Sequence, residues 1–127
     1  MADEDKKMVL VVEDDPILKN LLGNTFSGRY TAMYAGTGNE ALQYVEEYKP
    51  DIILLDLMLP EMGGFEVLEQ IRAREDELKD VPVIVVSNLS QESDQEKAKQ
   101  LGANDYMVKA EVAIEEITSK IDQFFQG

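Results

Sequence analysis

The stretch "MVLVVEDDP", Met8–Pro16, runs an apolar segment straight into three consecutive carboxylates and a proline. A short, continuous run of Val and Leu is what a strand covered on both faces requires. Like charges crowded at its end repel, by about 4 kcal/mol at roughly 4 Å for an effective dielectric of about 20. Either the acids face water or something positive belongs beside them. Asp15 has a simple role of its own, because Asp at an N-cap with Pro at the first helical position is a common helix start. Glu13 and Asp14 are left to account for.

Similar apolar runs recur at Ile52–Leu55 and Val83–Val86, and weaker strand candidates lie at Tyr30–Tyr34 and Asp105–Val108. Between them are helical patterns. Ile17, Leu18, Leu21, Leu22 and Phe26 repeat at helical spacing, as do Ala41, Leu42, Val45 and Tyr48. Phe65, Leu68 and Ile71 form a third stripe, and Ile114, Ile117, Ile121 and Phe124 a last one. The fourth helical segment, around 91–101, is mostly polar, with Ala98 and Leu101 as its anchors. It should be among the less stable parts of the fold.

Strand and helix thus alternate five times. Such alternation predicts a parallel sheet with right-handed crossovers and helices on both faces. The fold class expected is α/β, flavodoxin-like and doubly wound, with strand order 2-1-3-4-5. A length of 127 residues suits one domain, with a core over about 8–125 behind a charged stretch at 1–7. Ligands in such folds bind at the carboxyl ends of the strands, beside the switch point between strands 1 and 3.

Composition narrows the chemistry. With 26 acidic and 12 basic residues the formal net charge is −14, which argues against nucleic acid or an anionic membrane as a direct partner. There is no Cys and no His, so disulfides, thiolate or imidazole metal sites and Ser-His-Asp chemistry are excluded. The apolar runs are far too short to span a membrane, and "MADEDKK" is no signal peptide. A cytoplasmic location is the expectation.

At the expected carboxyl edge, strand 1 ends in Glu13 and Asp14, strand 3 in Asp56, strand 4 in Ser87 and strand 5 in Lys109. Three carboxylates gathered without a cation are destabilising, so a bound metal is the economical explanation. Oxygen-only ligation points to Mg²⁺ or a similar hard cation, with Mn²⁺ as the substitute. Lys109 and Ser87 supply what a phosphoryl group wants, a point charge and a hydrogen-bond donor.

"VVEDD", "LLDLMLPEMGGFEVL", "VVSN" and "YMVKA", in this order and spacing, resemble the receiver domain of two-component response regulators. The resemblance runs from about Met8 to Phe125. It implies that Asp56 accepts a phosphoryl group from a phosphohistidine on a sensor histidine kinase or histidine phosphotransfer protein. Asp14 would then hold Mg²⁺ directly and Glu13 through water, with the Met58 main-chain carbonyl as a further ligand. Ser87 would bond a phosphoryl oxygen and Lys109 would pair with another. Tyr106 matches the family's switch aromatic, expected to turn inward as Ser87 moves; an ordinary half-buried strand tyrosine is the alternative. Such a protein is a phosphorylation-controlled switch rather than a conventional enzyme, although it catalyses its own phosphorylation and dephosphorylation. It would be a monomer or a phosphorylation-dependent dimer, passing its signal to a downstream protein, a phosphorelay or an output region outside this sequence.

Two departures from the family pattern matter. Ala110 stands where proline usually follows the lysine, and the Lys109–Ala110 bond is expected to remain cis. Met58 and Leu89 flank the path of the hydrolytic water and are apolar, so a long-lived phosphorylated state is expected. The enzyme alternative is a Mg²⁺-dependent phosphatase of the haloacid dehalogenase type with Asp56 as nucleophile. It wants a second Asp at position 58, where Met stands.

Overall fold

The computed structural model describes residues 6–126 and contains five parallel strands in the order 2-1-3-4-5. The strands are β1 (Met8–Val12), β2 (Thr31–Ala35), β3 (Ile52–Leu55), β4 (Val83–Ser87) and β5 (Asp105–Val108). The helices are α1 (Pro16–Phe26), α2 (Gly38–Tyr48), α3 (Gly64–Arg72), α4 (Glu92–Gln100) and α5 (Ile114–Gln126). Short 3₁₀ segments at Glu77–Asp80 and Lys109–Glu111 complete the chain. Most of the charged N-terminal stretch, residues 1–5, lies outside the described residues. Among those described, no helix is long and apolar enough to cross a membrane.

Strand residues alternate between two cores, as the period of two demands. Val9, Val11, Ile52, Leu54, Ile84 and Val86 pack with Leu22 and Phe26 of α1 and Ile117 and Ile121 of α5. Leu10, Val12, Ile53, Leu55 and Val83 face the other way, onto Ala41 and Val45 of α2 and Val67, Leu68 and Ile71 of α3. Helix α4 contributes only Ala98 to a small cluster with Leu57 and Val85.

The apolar stripe of α1 is narrower than its sequence suggests. Leu18, Leu22 and Phe26 cover the sheet, whereas Ile17 and Leu21 are 70% and 47% exposed. One residue is about 100° of helical turn, enough to carry the 17–21 pair off the buried face. Tyr48 also faces outward from α2.

Helix starts follow local chemistry. Asp15 caps α1 by accepting from the Ile17 amide at 3.0 Å, with Pro16 at the first position. Thr37 caps α2 through the Glu40 amide. Gly64 opens α3 against the chain behind β3, where a Cβ would meet the Asp56 carbonyl oxygen at 2.4 Å and Leu57 Cα at 2.6 Å. Only glycine fits there, so the backbone of α3 lies directly against the segment that carries Asp56.

Candidate functional site

The central strands deliver the acids. Glu13 follows β1, its amide bonded to the Ala35 carbonyl at 2.9 Å, and Asp56 follows β3, its amide bonded to Val12. These backbone bonds extend the parallel ladders past the strand ends, so both side chains are rigidly based. Glu13 and Asp56 are 3% and 4% exposed, while Asp14 is open to solvent. One carboxylate oxygen from each of the three lies within 4.8 Å of the others.

Lys109 supplies the positive charge. Its Nζ lies 2.7 Å from Glu13 Oε1 and 2.9 Å from both Glu13 Oε2 and Asp56 Oδ2. Glu13 Oε2 also accepts from the Asp15 amide at 3.0 Å, and Asp56 Oδ1 from the Met58 amide at 3.1 Å. Burial raises the Glu13 pKa most; Lys109 and the Asp15 amide oppose it, and the Asp56 charge adds to the rise. Burial lowers that of Lys109, but its bonds to Glu13 and Asp56 outweigh this and the net shift is upward. The ammonium is therefore firmly charged and shared between two buried carboxylates.

Ser87, the last residue of β4, is fully buried, and its Oγ accepts from the Leu89 amide at 3.4 Å. Tyr106 on β5 is half-buried, and its hydroxyl donates to the Leu89 carbonyl at 2.5 Å. Met58 is 57% exposed beside the acids. Glu13, Asp14, Asp56, Ser87 and Lys109 all stand at the carboxyl edge of the sheet, at or just past strand ends.

One expectation is overturned. The described residues contain no cis peptide, so Lys109–Ala110 is trans. Lys109 opens a 3₁₀ turn, and from there its side chain spans the distance to Asp56 and Glu13 with an ordinary peptide bond behind it.

Three contacts were not anticipated from the sequence. They are the packing of Gly64 beneath Asp56, the Tyr106 bond to the Leu89 carbonyl, and the bond from the Ala110 amide to Asn88 Oδ1 at 3.1 Å. The paired glycines in "EMGGFEV" were a usable signal for the first. The others depend on loop geometry that no local pattern encodes.

A carboxylate cluster and a lysine at the switch point of a 2-1-3-4-5 sheet suit more than one chemistry, and comparison with known proteins decides among them. The model of the response regulator receiver domain matches residues 9–122. The chain belongs to that family. The receiver is 35% identical over 104 residues to the polar-differentiation response regulator DivK of Brucella anthropi, covering 81% of this chain and 84% of that protein. It is 35% identical over 107 residues to the probable transcriptional regulator ycf27 of Guillardia theta, with 84% of this chain matched. The receiver spans only 41% of that relative, and 30% of the regulator of RpoS from Escherichia coli.

Among solved structures, the phosphorylated cyanobacterial phytochrome response regulator RcpA is 30% identical with a TM-score of 0.83, covering 96% of this chain and 95% of that one. The Mn²⁺-bound form of response regulator Rcp1 is 27% identical with a TM-score of 0.81, covering 94% of each chain. Membership of this family leaves the haloacid dehalogenase-type reading without support.

Proposed function

We propose that this receiver takes a phosphoryl group onto Asp56 from a phosphohistidine on a partner sensor kinase or histidine phosphotransfer protein in the cytoplasm. The state of Asp56 then alters a face that a downstream protein reads. The observation that carries this is the meeting of buried Asp56 with Lys109 Nζ at 2.9 Å, inside a carboxylate cluster.

Transfer breaks the N–P bond of the donor imidazole and forms an O–P bond to an Asp56 carboxylate oxygen. The donor nitrogen keeps the electron pair. No protein base is needed, because an ionised carboxylate is already the nucleophile. Positioning and charge neutralisation do most of the work in such transfers. In this reading Lys109 pairs with an oxygen of the incoming group, and Ser87 Oγ donates to another.

The donor set fits a hard divalent cation. Three carboxylate oxygens, with no imidazole or thiolate, suit Mg²⁺ or Mn²⁺, and the exposed Asp14 leaves room for the waters that Mg²⁺ retains. Asp14 and Asp56 would hold it, with the Met58 main-chain carbonyl and, through water, Glu13. Such an ion would neutralise charge on the transferring phosphoryl group. The Mn²⁺ described for Rcp1 and the phosphorylation described for RcpA support this reading by likeness.

Titration with beryllofluoride, a phosphoryl mimic, tests the site without the reaction. Binding should require Mg²⁺ and be lost in Asp56→Asn. Binding that survives the substitution would place the acceptor elsewhere.

A further inference from the structure

Lys109 opens the 3₁₀ turn Lys109–Glu111, which has no side-chain cap from the residue before it. The first amides of a helical turn have no carbonyl within the turn to bond. One of them, Ala110 N–H, donates instead across the sheet edge to Asn88 Oδ1 at 3.1 Å. Asn88 directly follows the buried Ser87. On the other side of Lys109, the Tyr106 hydroxyl donates to the carbonyl of Leu89. Two bonds thus run from either side of Lys109 to consecutive residues of a single loop, and that loop directly follows Ser87.

The peptide unit that holds the Ala110 amide also holds the Lys109 carbonyl, and the unit is planar and stiff. Bonding its N–H to Asn88 therefore fixes the backbone on the carboxyl side of Lys109. The four-carbon stem of lysine is flexible. Where its ammonium settles between Glu13 and Asp56 depends on where that backbone is held. A proline at 110 would have no N–H to give, so the contact is open to this chain because alanine stands there.

We propose that Asn88 is a positioning residue for Lys109: its side-chain oxygen, on the Ala110 amide, sets the Lys109 backbone relative to Ser87 so that Nζ meets Asp56. The proposal rests on the reading of Asp56 as acceptor and Lys109 as its cation. Both Asn88 and Ala110 are exposed, so the bond competes with water and its effect is modest.

The test is the rate of phosphoryl gain from acetyl phosphate and Mg²⁺, with hydrogen exchange of the Ala110 amide as a readout independent of the reaction. Asn88→Ala should speed that exchange and slow phosphoryl gain by about three- to tenfold, the range a net hydrogen bond supports. In a Lys109→Met background, Asn88→Ala should change the residual rate no further, because the residue acts through Lys109. Unchanged exchange at Ala110, a wild-type rate in Asn88→Ala, or a further loss in the Lys109→Met background would each overturn the proposal. Failure of wild type both to gain a phosphoryl group and to bind beryllofluoride would instead overturn the acceptor reading, and the exchange measurement would still decide the Asn88 contact.

Discussion

Lys109 Nζ and Asp56 Oδ2 meet at 2.9 Å although the two residues lie 53 positions apart in the chain. The ammonium also holds Glu13, so a single cation serves two buried carboxylates. Lys109→Met would leave both without their partner. Breaking a buried ion pair typically costs about 3–5 kcal/mol, and the partial exposure of Lys109 reduces this to about 2–4 kcal/mol. Asp56→Asn should act in the opposite direction, because it removes one of the crowded negative charges. Urea unfolding without divalent cation should order the proteins as Asp56→Asn, wild type, Lys109→Met, from most to least stable. A Lys109→Met variant as stable as wild type would contradict this.

Gly64 packs where no side chain fits. A methyl group there would overlap the Asp56 carbonyl oxygen and Leu57 Cα, both backbone atoms with little freedom to move. Gly64→Ala is expected to destabilise by about 2 kcal/mol or more. It should also displace Asp56, so phosphoryl gain would fall even at temperatures where the variant remains folded. A fully active, stable variant would show that α3 can shift outward freely.

Apolar side chains at 58 and 89 cannot orient an attacking water. Met58 is exposed beside the acids, and Leu89 packs with Tyr106 against the α4 cluster. Timing phosphate loss from the phosphorylated protein should therefore show faster loss in Met58→Asn with Leu89→Glu than in wild type. Equal or slower loss from the double variant would refute a long-lived phosphorylated state.

Helix α4 is held weakly. It buries only Ala98, whereas α5 buries Ile117, Thr118 and Ile121. Its central amides should exchange with solvent well before those of α5, because opening α4 sacrifices little apolar contact. Tyr106→Phe, which removes the bond to the Leu89 carbonyl ahead of α4, should speed its exchange further. Equal protection of the two helices would contradict this account.

Away from the site, Asp76 gives a pH signature. A hydrogen bond from Arg74 holds its carboxyl below the ordinary 3.8. A depressed carboxylate stabilises the fold above its unfolded pKa, and that contribution disappears as pH falls through the lower folded value. The melting difference between wild type and Asp76→Asn should therefore be constant above about pH 5 and shrink below pH 3.8. A difference that grew on acidification would have the wrong sign.

Much of this molecule was legible in its sequence. The runs at Met8–Val12, Ile52–Leu55 and Val83–Val86 are continuous because those strands are buried on both faces, and the order of elements then left few topologies open. Polar residues that end such runs must collect at one edge, which is how Glu13, Asp56, Ser87 and Lys109 could be grouped from the sequence. Helical spacing was a blunter guide. It grouped Ile17 and Leu21 with the core stripe of α1, since apolar residues one step around a helix look alike in sequence. The peptide after Lys109 was misjudged because the turn geometry that lets a trans backbone deliver the ammonium is not encoded in residue type. The Asn88–Ala110 bond was invisible for the same reason, as its partners lie 22 residues apart in two loops.

The most direct test of Asp56 as phosphoacceptor is intact mass after incubation with acetyl phosphate and Mg²⁺, for wild type and Asp56→Asn. A gain of one phosphoryl group is expected in wild type, absent without Mg²⁺ and absent in the variant. An equal gain in Asp56→Asn would contradict it.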